Sequence, residues 1–101
     1  MASQEDLQYK LESLLALKHV YYQPPENFTM EYPAIRYSLA KIESTYANNA
    51  KYSNKNRYEV IVIDKLPDNE VIQKILALPY SSYDRRYVSN NLNHDVITLY
   101  F

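Results

Sequence analysis

The sequence lacks two residue types whose absence rules out several kinds of chemistry. Its 101 residues include no cysteine and no glycine. Without cysteine the chain can form neither a disulfide framework nor a thiolate metal site, and it has no thiol nucleophile. Without glycine it has no phosphate-cradling loop and no dinucleotide-binding fingerprint, because those loops need a backbone that approaches the ligand closely. Nucleotide-binding folds of that kind are therefore excluded.

The chain also lacks a charge excess and a long hydrophobic run. Its formal net charge is −1 at pH 7, whereas proteins that bind the nucleic-acid backbone carry clustered Lys and Arg. The densest basic cluster, Lys51, Lys55 and Arg57, lies in an Asn-rich segment more typical of a solvated turn than of a phosphate site. No apolar run approaches the roughly 18 residues of a membrane span, and the acidic segment 1–6 does not resemble a signal peptide. We expect no membrane partner and no sequence-specific nucleic-acid partner.

The residues that are present suffice for one hydrophobic core. With 47% hydrophobic and 23% charged residues, the composition is that of a folded globular protein. A chain of this length is too short to divide into two stable cores. We therefore expect a single domain, residues 1–101.

Two segments have the apolar spacing of amphipathic helices. In residues 4–17, which Ser3 can cap with Asp6 three positions later, leucines recur at near-helical intervals. In residues 69–78, apolar residues again recur at helical spacing, with Asp68 as the expected cap and Pro79 as the stop. The sequence therefore predicts two helices.

The remaining segments favour strands. Residues 19–22 are β-prone and are followed by two prolines, which indicates a brief edge strand. Residues 34–64 predict a long hairpin whose polar centre, 47–51, separates its arms, and the second arm is apolar on both faces, as a central strand requires. Residues 80–101 predict a second hairpin. Since no glycine is present, the Asn48-Asn49 and Asn90-Asn91 pairs are the expected turn positions.

The resulting order, α-β-β-β-α-β-β, predicts an α+β fold, a mostly antiparallel twisted sheet with two helices packed on one face. Helices then cover only one side of the sheet. The aromatic and apolar residues of the other side are either flanked by long polar neighbours or buried against another subunit. We expect oligomerisation to complete their burial.

The titratable residues do not form a catalytic pattern. His94 and Asp95 are adjacent, so a strand would direct them to opposite faces. His19 follows a helix C-terminus, where local capping is a sufficient role. The carboxylates between residues 64 and 70 lie where a helix begins and favour capping, and the two histidines have no metal-ligand spacing. We expect no enzymatic activity, no cofactor and no metal.

Two segments carry residues suited to protein contacts. Residues 83–87 combine Tyr and Arg, which often anchor interfaces. A subunit contact and an exposed ion pair on a hairpin arm are equally acceptable interpretations of this segment. In a regular strand, Asp84 and Arg86 would share one face and the other three residues the opposite one. The hairpin loop 48–56 is expected to reach a neighbouring molecule. The candidate interface residues are Asn48, Asn49, Lys51, Tyr52, Tyr83, Asp84, Arg85, Arg86 and Tyr87.

Several segments together resemble a known viral family. They are residues 21–25 (YYQPP), 32–37 (YPAIRY), 48–49 (NN) with 57–60 (RYEV), and 91–96 (NLNHDV). In order and character they resemble the small tail terminator, or tail completion, proteins of long-tailed phages, over nearly the whole chain. The resemblance implies a non-enzymatic virion structural protein whose hexameric ring ends tail-tube growth and joins the tail to the head connector.

The same resemblance implies specific partners and a location. The partners would be further copies of the chain, the tail tube protein and the head–tail connector proteins. The location would be the head–tail junction of the virion, with a ring through which the genome can pass. The chain is short for this family, which leaves open a head-completion or adaptor role. The alternative from another class is a small phage-encoded regulator that binds and inhibits a host protein.

Overall fold

The computed structural model describes residues 4–16, 18–24, 29, 31–47 and 50–101, and for residues 41–47 and 50–55 only the backbone. Its elements follow the order expected from the sequence. They are α1 (Gln4–Leu15), β1 (Val20–Tyr22), β2 (Ala34–Ala47), β3 (Ala50–Asp64), α2 (Val71–Leu76), β4 (Ser81–Ser89) and β5 (Leu92–Tyr100).

The strands form one mixed sheet in the spatial order β1-β2-β3-β5-β4. β1 runs parallel to β2, and the other neighbours are antiparallel. β3 lies in the centre, as expected for a strand that is apolar on both faces. β1 is a three-residue edge strand, as the prolines after it indicated, and β4 forms the opposite edge.

Both helices pack on the same face of the sheet and enclose the main core. The buried side chains of this core alternate along each strand and recur at helical spacing in α1 and α2. Their removal from water is the principal stabilising contribution to the fold. They are Leu7, Leu11, Val20, Ile35, Tyr37, Tyr58, Val60, Val62, Val71, Ile72, Ile75, Ile97 and Leu99.

Tyr37 is the largest fully buried side chain and links α1 to the sheet. Its hydroxyl accepts a hydrogen bond from Gln4 Nε2 and donates one to Gln8 Oε1. Gln8 Nε2 in turn donates to the Val20 carbonyl at 2.9 Å. Burial raises the pKa of the Tyr37 phenol, and the Gln4 hydrogen bond partly opposes that rise. The hydroxyl is thus satisfied inside the core, as a buried polar group requires.

On the helix-free face, the chain covers its own apolar side chains. Ile61, Ile63, Leu92 and Val96 are each at most 9% exposed. The register sets Tyr21, Arg36, Ile61, Val96 and Arg85 in one row across all five strands, and directly paired residues share a face. Long polar side chains therefore flank the apolar pair at the row's centre. This is the first of the two arrangements expected for this face, in which long polar neighbours flank the apolar residues.

The second hairpin turn is formed as expected, whereas the first lies outside the described residues. Asn90 and Asn91 have φ values of 53° and 62°, which a two-residue hairpin turn requires. Asn48 and Asn49 are not among the described residues. The predicted loop 48–56 is wrong in extent, because β3 begins at Ala50 and pairs with Ala47. The polar residues of this segment were expected to form a loop, but polar residues can also form an antiparallel strand pair whose faces are in contact with water.

Helix α2 and the residue before β1 differ from expectation. α2 is two residues shorter at each end than the predicted 69–78, and its N-cap, Glu70, makes no side-chain cap bond. Asp68 is not the cap, because Asn69 Oδ1 accepts from the Val71 N–H at 2.9 Å. His19 does not cap α1. Its ring contacts Glu31 Oε2 at 3.0 Å and the Pro33 carbonyl at 3.2 Å.

Substituting Ala16 with glycine should stabilise the protein. Ala16 follows α1 with a φ of 61°, and its N–H donates to the Glu12 carbonyl at 2.9 Å. This left-handed conformation costs a non-glycine residue about 1 kcal/mol. Ala16→Gly should therefore raise the free energy of unfolding by up to about 1 kcal/mol in urea titration.

The matched control is Ala77→Gly. Ala77 ends α2 with a φ of −77°, where glycine only adds flexibility to the unfolded chain. That variant should lose about 0.5 kcal/mol. A destabilising Ala16→Gly substitution would contradict the strain argument.

Candidate functional site

β4 presents a continuous exposed edge. Every residue from 82 to 89 is exposed, and in the part of the chain that is described β4 pairs on one side only, with β5. Tyr83, Tyr87 and Val88 are 44%, 39% and 66% exposed. Five of the candidate interface residues, 83–87, lie on this strand. Large exposed side chains on an open sheet edge are typical of a protein contact.

A bulge at Asp84 changes which residues of β4 share a face. Tyr83 pairs with Ile97, the next pair joins Arg85 to Val96, and Asp84 is the extra residue. The expected face pattern is therefore wrong, since one inserted residue reverses the alternation beyond it. Tyr83 and Arg86 lie on the helix side, whereas Arg85 and Tyr87 lie on the other side.

The bulge brings Tyr83 and Arg86 together on the carboxylate of Asp95, which is 2% exposed. Tyr83 Oη donates to Asp95 Oδ1 at 2.6 Å. Arg86 donates from Nε to Oδ1 at 2.6 Å and from Nη2 to Oδ2 at 3.3 Å. Arg86 Nη2 also donates to the Pro67 carbonyl at 2.6 Å. A buried carboxylate needs such charged and polar donors, and here they attach β4 to the segment before α2.

Both donors hold their protons more firmly because of this carboxylate. The hydrogen bond to Asp95 raises the pKa of the Tyr83 phenol, and burial adds to the rise. The same carboxylate raises the pKa of the Arg86 guanidinium. The network is therefore fully protonated on its donor side at neutral pH.

The helix-free side of β4 carries a stacked group. Arg85 Nη1 lies 2.6 Å from Asp84 Oδ2, and Arg85 Cζ is 5.9 Å from the centre of the Tyr87 ring. The Tyr87 ring stacks on His94 with centroids 4.6 Å apart. His94 Nδ1 lies 3.0 Å from the Leu92 carbonyl, so Nδ1 is the donor and Nε2 the acceptor in the neutral ring. His94 and Asp95 do face opposite sides, as expected.

A cleft of about 510 Å³ lies between α2, the segment before it and β4. Its wall combines apolar side chains, Ile72 and Leu76, with Glu70 and with the Tyr83 and Arg86 groups that already bind Asp95. Among the described residues, no three His, Cys, Asp or Glu side chains cluster closely enough to hold a metal ion. The hydrogen bonds of Tyr83 and Arg86 to Asp95 are suited to holding β4 in position beside β5.

The described members of the two predicted interface clusters lie in different parts of the sheet. Asn48 and Asn49 lie outside the described residues, and Lys51 and Tyr52 are described only as backbone in β3. Among the described residues, that part of β3 pairs with β2 alone, because the β5–β3 pairs run from Arg57 to Asp64. Residues 83–87 instead pair with β5.

Sequence reasoning missed Asp95 as the anchor of β4. The available signal was an acidic residue directly before the apolar run 96–101. Such a residue is seldom buried unless it is paired.

Comparisons with known proteins add no relative. The chain matches no protein-family model, no curated protein and no solved structure. In the described ranges, neither helix has the length and apolar content needed to cross a bilayer. The resemblance to tail terminators therefore rests on the sequence segments quoted for it.

Asp95→Asn should destabilise the protein more than Asp84→Asn. The first substitution removes the charge that both Tyr83 and Arg86 contact in a buried position, which we expect to lower the free energy of unfolding by about 2 kcal/mol. The second removes half of an exposed ion pair and should change it by less than about 0.5 kcal/mol. Urea titration at neutral pH measures both, and equal losses would contradict the assigned role of Asp95.

Tyr83→Phe should flatten the alkaline part of the stability curve. The folded-state pKa of Tyr83 lies above its ordinary value of 10.0. The stability linked to that shift is thus complete below about pH 10 and is lost as pH rises through the folded-state pKa. Removing the hydroxyl removes this loss along with the hydrogen bond. The measurement is the free energy of unfolding from about pH 8 to about pH 11.

Tyr87→Phe is the matched control, because it removes a hydroxyl from the same strand on the side away from Asp95. A Tyr83→Phe curve as steep as that of the unmodified protein would argue against the hydrogen bond to Asp95 as the cause.

Proposed function

We propose that the protein acts by binding other protein chains, as a non-enzymatic virion structural protein of the tail terminator kind. Copies would form a ring that caps the tail tube and joins it to the head connector. The observation that carries this proposal is the exposed edge strand β4, on which a buried carboxylate holds Tyr83 and Arg86 in place.

β4 has the composition and the rigidity that a binding surface needs. Tyr and Arg are the residue types that most often dominate binding energy at interfaces. Because Asp95 fixes Tyr83 and Arg86, little conformational freedom remains to be lost when a partner binds there, which favours affinity.

The β2–β3 hairpin supplies a second surface. Asn56 and Phe101 exchange backbone hydrogen bonds of 3.3 and 3.0 Å, and beyond this point five residue pairs, from Glu43–Lys55 to Ala47–Ala50, join β2 to β3 alone. This segment, the arm, is about 17 Å long at the usual rise per residue. The protein accordingly measures 50 Å along one axis and 25 and 23 Å along the others.

The arm is suited to reaching a neighbour. A two-stranded hairpin without further support is at best marginally stable in water, so contact with another chain would hold it in place. A ring requires two different complementary patches on each subunit. The arm and β4 are separate parts of the surface and can serve as those patches.

One observation favours the second candidate, a phage-encoded regulator that binds a host protein. The apolar residues of the helix-free face are already buried in a single copy. The fold therefore does not need other copies to complete its core, and a monomeric regulator could use the same exposed edge for its target.

The mass of the protein in solution separates the two candidates. Light scattering after size exclusion, together with native mass spectrometry, should find species of up to six copies, and electron microscopy should show rings. A protein that stays monomeric or dimeric throughout the accessible concentration range would contradict the ring and favour the regulator.

Shortening the arm should abolish ring formation without unfolding the protein. Replacing residues 44–54 by Asn-Gly joins the Glu43–Lys55 pair with a favoured two-residue turn and leaves the core unchanged. Lys55 directs its backbone groups toward β2, because those of the next residue, Asn56, bond Phe101. The variant should melt cooperatively in circular dichroism and should not assemble.

Gln73→Ala, on the exposed surface of α2, is a control that should assemble normally. Rings of unchanged size from the shortened protein would refute the role given to the arm.

A further inference from the structure

The two edges of the sheet differ in how open they are. β1 has three residues, and the Val20 carbonyl is occupied by Gln8 Nε2. β4 has nine residues, and no strand in the described part of the chain pairs with its outer side. β4 is thus the longer and more accessible place for another strand to bind.

The hydrogen-bonding pattern determines which groups of β4 point outward. Ser89 and Leu92 close a two-residue turn and so bond each other. At the other end, the Tyr100 N–H donates to the Tyr80 carbonyl at 3.0 Å. Bonded and non-bonded pairs alternate in an antiparallel ladder. The residues whose backbone groups point away from β5 are therefore Ser81, Tyr83, Arg86 and Val88.

These four residues form a self-complementary set. When two copies of β4 run antiparallel with Ser81 facing Val88 of the second copy, Tyr83 faces Arg86 of the second copy. Every outward group then meets an outward group, and Tyr83 and Arg86 lie on the same face. In the neighbouring register, Ser81 would face Ser89, whose groups point toward β5, and the ladder could not form.

The charges agree with the same register. It sets Asp84 opposite Arg85 of the second copy, twice across the two-fold axis, and opposite charges on facing residues are stabilising. Both side chains are accessible, at 46% and 58% exposed. In the neighbouring register, Arg85 would instead face Arg85 of the second copy, which sets like charges together. A bulge and charges on an edge strand normally make pairing with other strands unfavourable. Here they are compatible with one register, the one in which Ser81 faces Val88 of the second copy.

We infer that the free chain is a two-fold dimer in which β4 pairs antiparallel with β4 of a second copy. The exposed Tyr83, Tyr87 and Val88 side chains supply apolar contact area along this β4–β4 interface. The inference rests on the proposed function only in that copies of the chain bind each other. Because the ring would use the same edge, the dimer is the form that exists before assembly.

The first test compares Val88→Pro with Val88→Ala in the full chain by sedimentation over a range of concentrations. Proline removes an outward N–H without removing a bond to β5, so Val88→Pro should weaken dimerisation at least about tenfold. Val88→Ala keeps the N–H and should change it by less than about threefold. An unmodified chain that is monomeric, or a dimer insensitive to proline, would overturn the inference.

The second test reverses the charges. Asp84→Arg sets like charges across the β4–β4 interface and should dissociate the dimer. Asp84→Arg combined with Arg85→Asp restores opposite charges and should recover the dimer. Thermal melting confirms that each variant is folded. Failure of the double variant to recover the dimer would overturn the register.

The third test uses the absence of native cysteine. A chain with Ser81→Cys and Val88→Cys should form disulfide-linked dimers on mild oxidation, because those positions face each other within disulfide reach. A chain with Ser81→Cys and Ser89→Cys should not. Linkage of the second pair in preference to the first would overturn the register.

These outcomes separate the inference from the proposed function. Rings that survive Val88→Pro would leave assembly standing and remove the β4 dimer. Dimers that respond to all three tests, without any larger species, would support the β4 pairing and contradict the ring.

Discussion

The position of β4 depends on one buried carboxylate. Asp95 lies on the helix side of β5, and its two oxygens accept hydrogen bonds from Tyr83 and Arg86. Because a buried charge without partners is very unfavourable, β4 must keep both donors on that side of the sheet. The bulge at Asp84 satisfies this requirement. The exposed pattern of the edge strand therefore follows from a contact inside the protein.

The two faces of the sheet are covered in different ways. On one face, two helices bury a continuous apolar core, and α1 adds polar contacts through Tyr37. On the other, a smaller apolar group is buried, and the register sets Arg36 and Arg85 on either side of its Ile61–Val96 pair. Long charged side chains can shield apolar surface with their aliphatic parts while their charged ends stay in water. In the described part of the chain, the apolar residues at the centre of both sheet faces are thus buried within one copy.

Most of the fold was predictable from periodicity, because apolar spacing reports directly which residues face a core. The central position of β3 followed from Val60 and Val62 on one face and Ile61 and Ile63 on the other. The site was predictable only in part. Residues 83–87 were recognised by type, but their faces were not, since a bulge leaves no periodic signal. Asp95 required knowledge of which strand lies beside it, and His19 required the position of Glu31, ten or more residues away. Local patterns carry no information about such contacts.

The absence of glycine affects both the unfolded and the folded chain. Among the described residues, those with positive φ are Ala16, Gln23, Tyr80, Asn90 and Asn91. A sequence without glycine samples fewer backbone conformations when unfolded, so less conformational entropy is lost on folding. In the folded state the effect is destabilising, because left-handed geometry is unfavourable for residues with a Cβ atom. The lack of glycine therefore has two opposite effects on stability. It stiffens the unfolded chain, and it places residues with a Cβ atom in left-handed conformations at the ends of helices and strands.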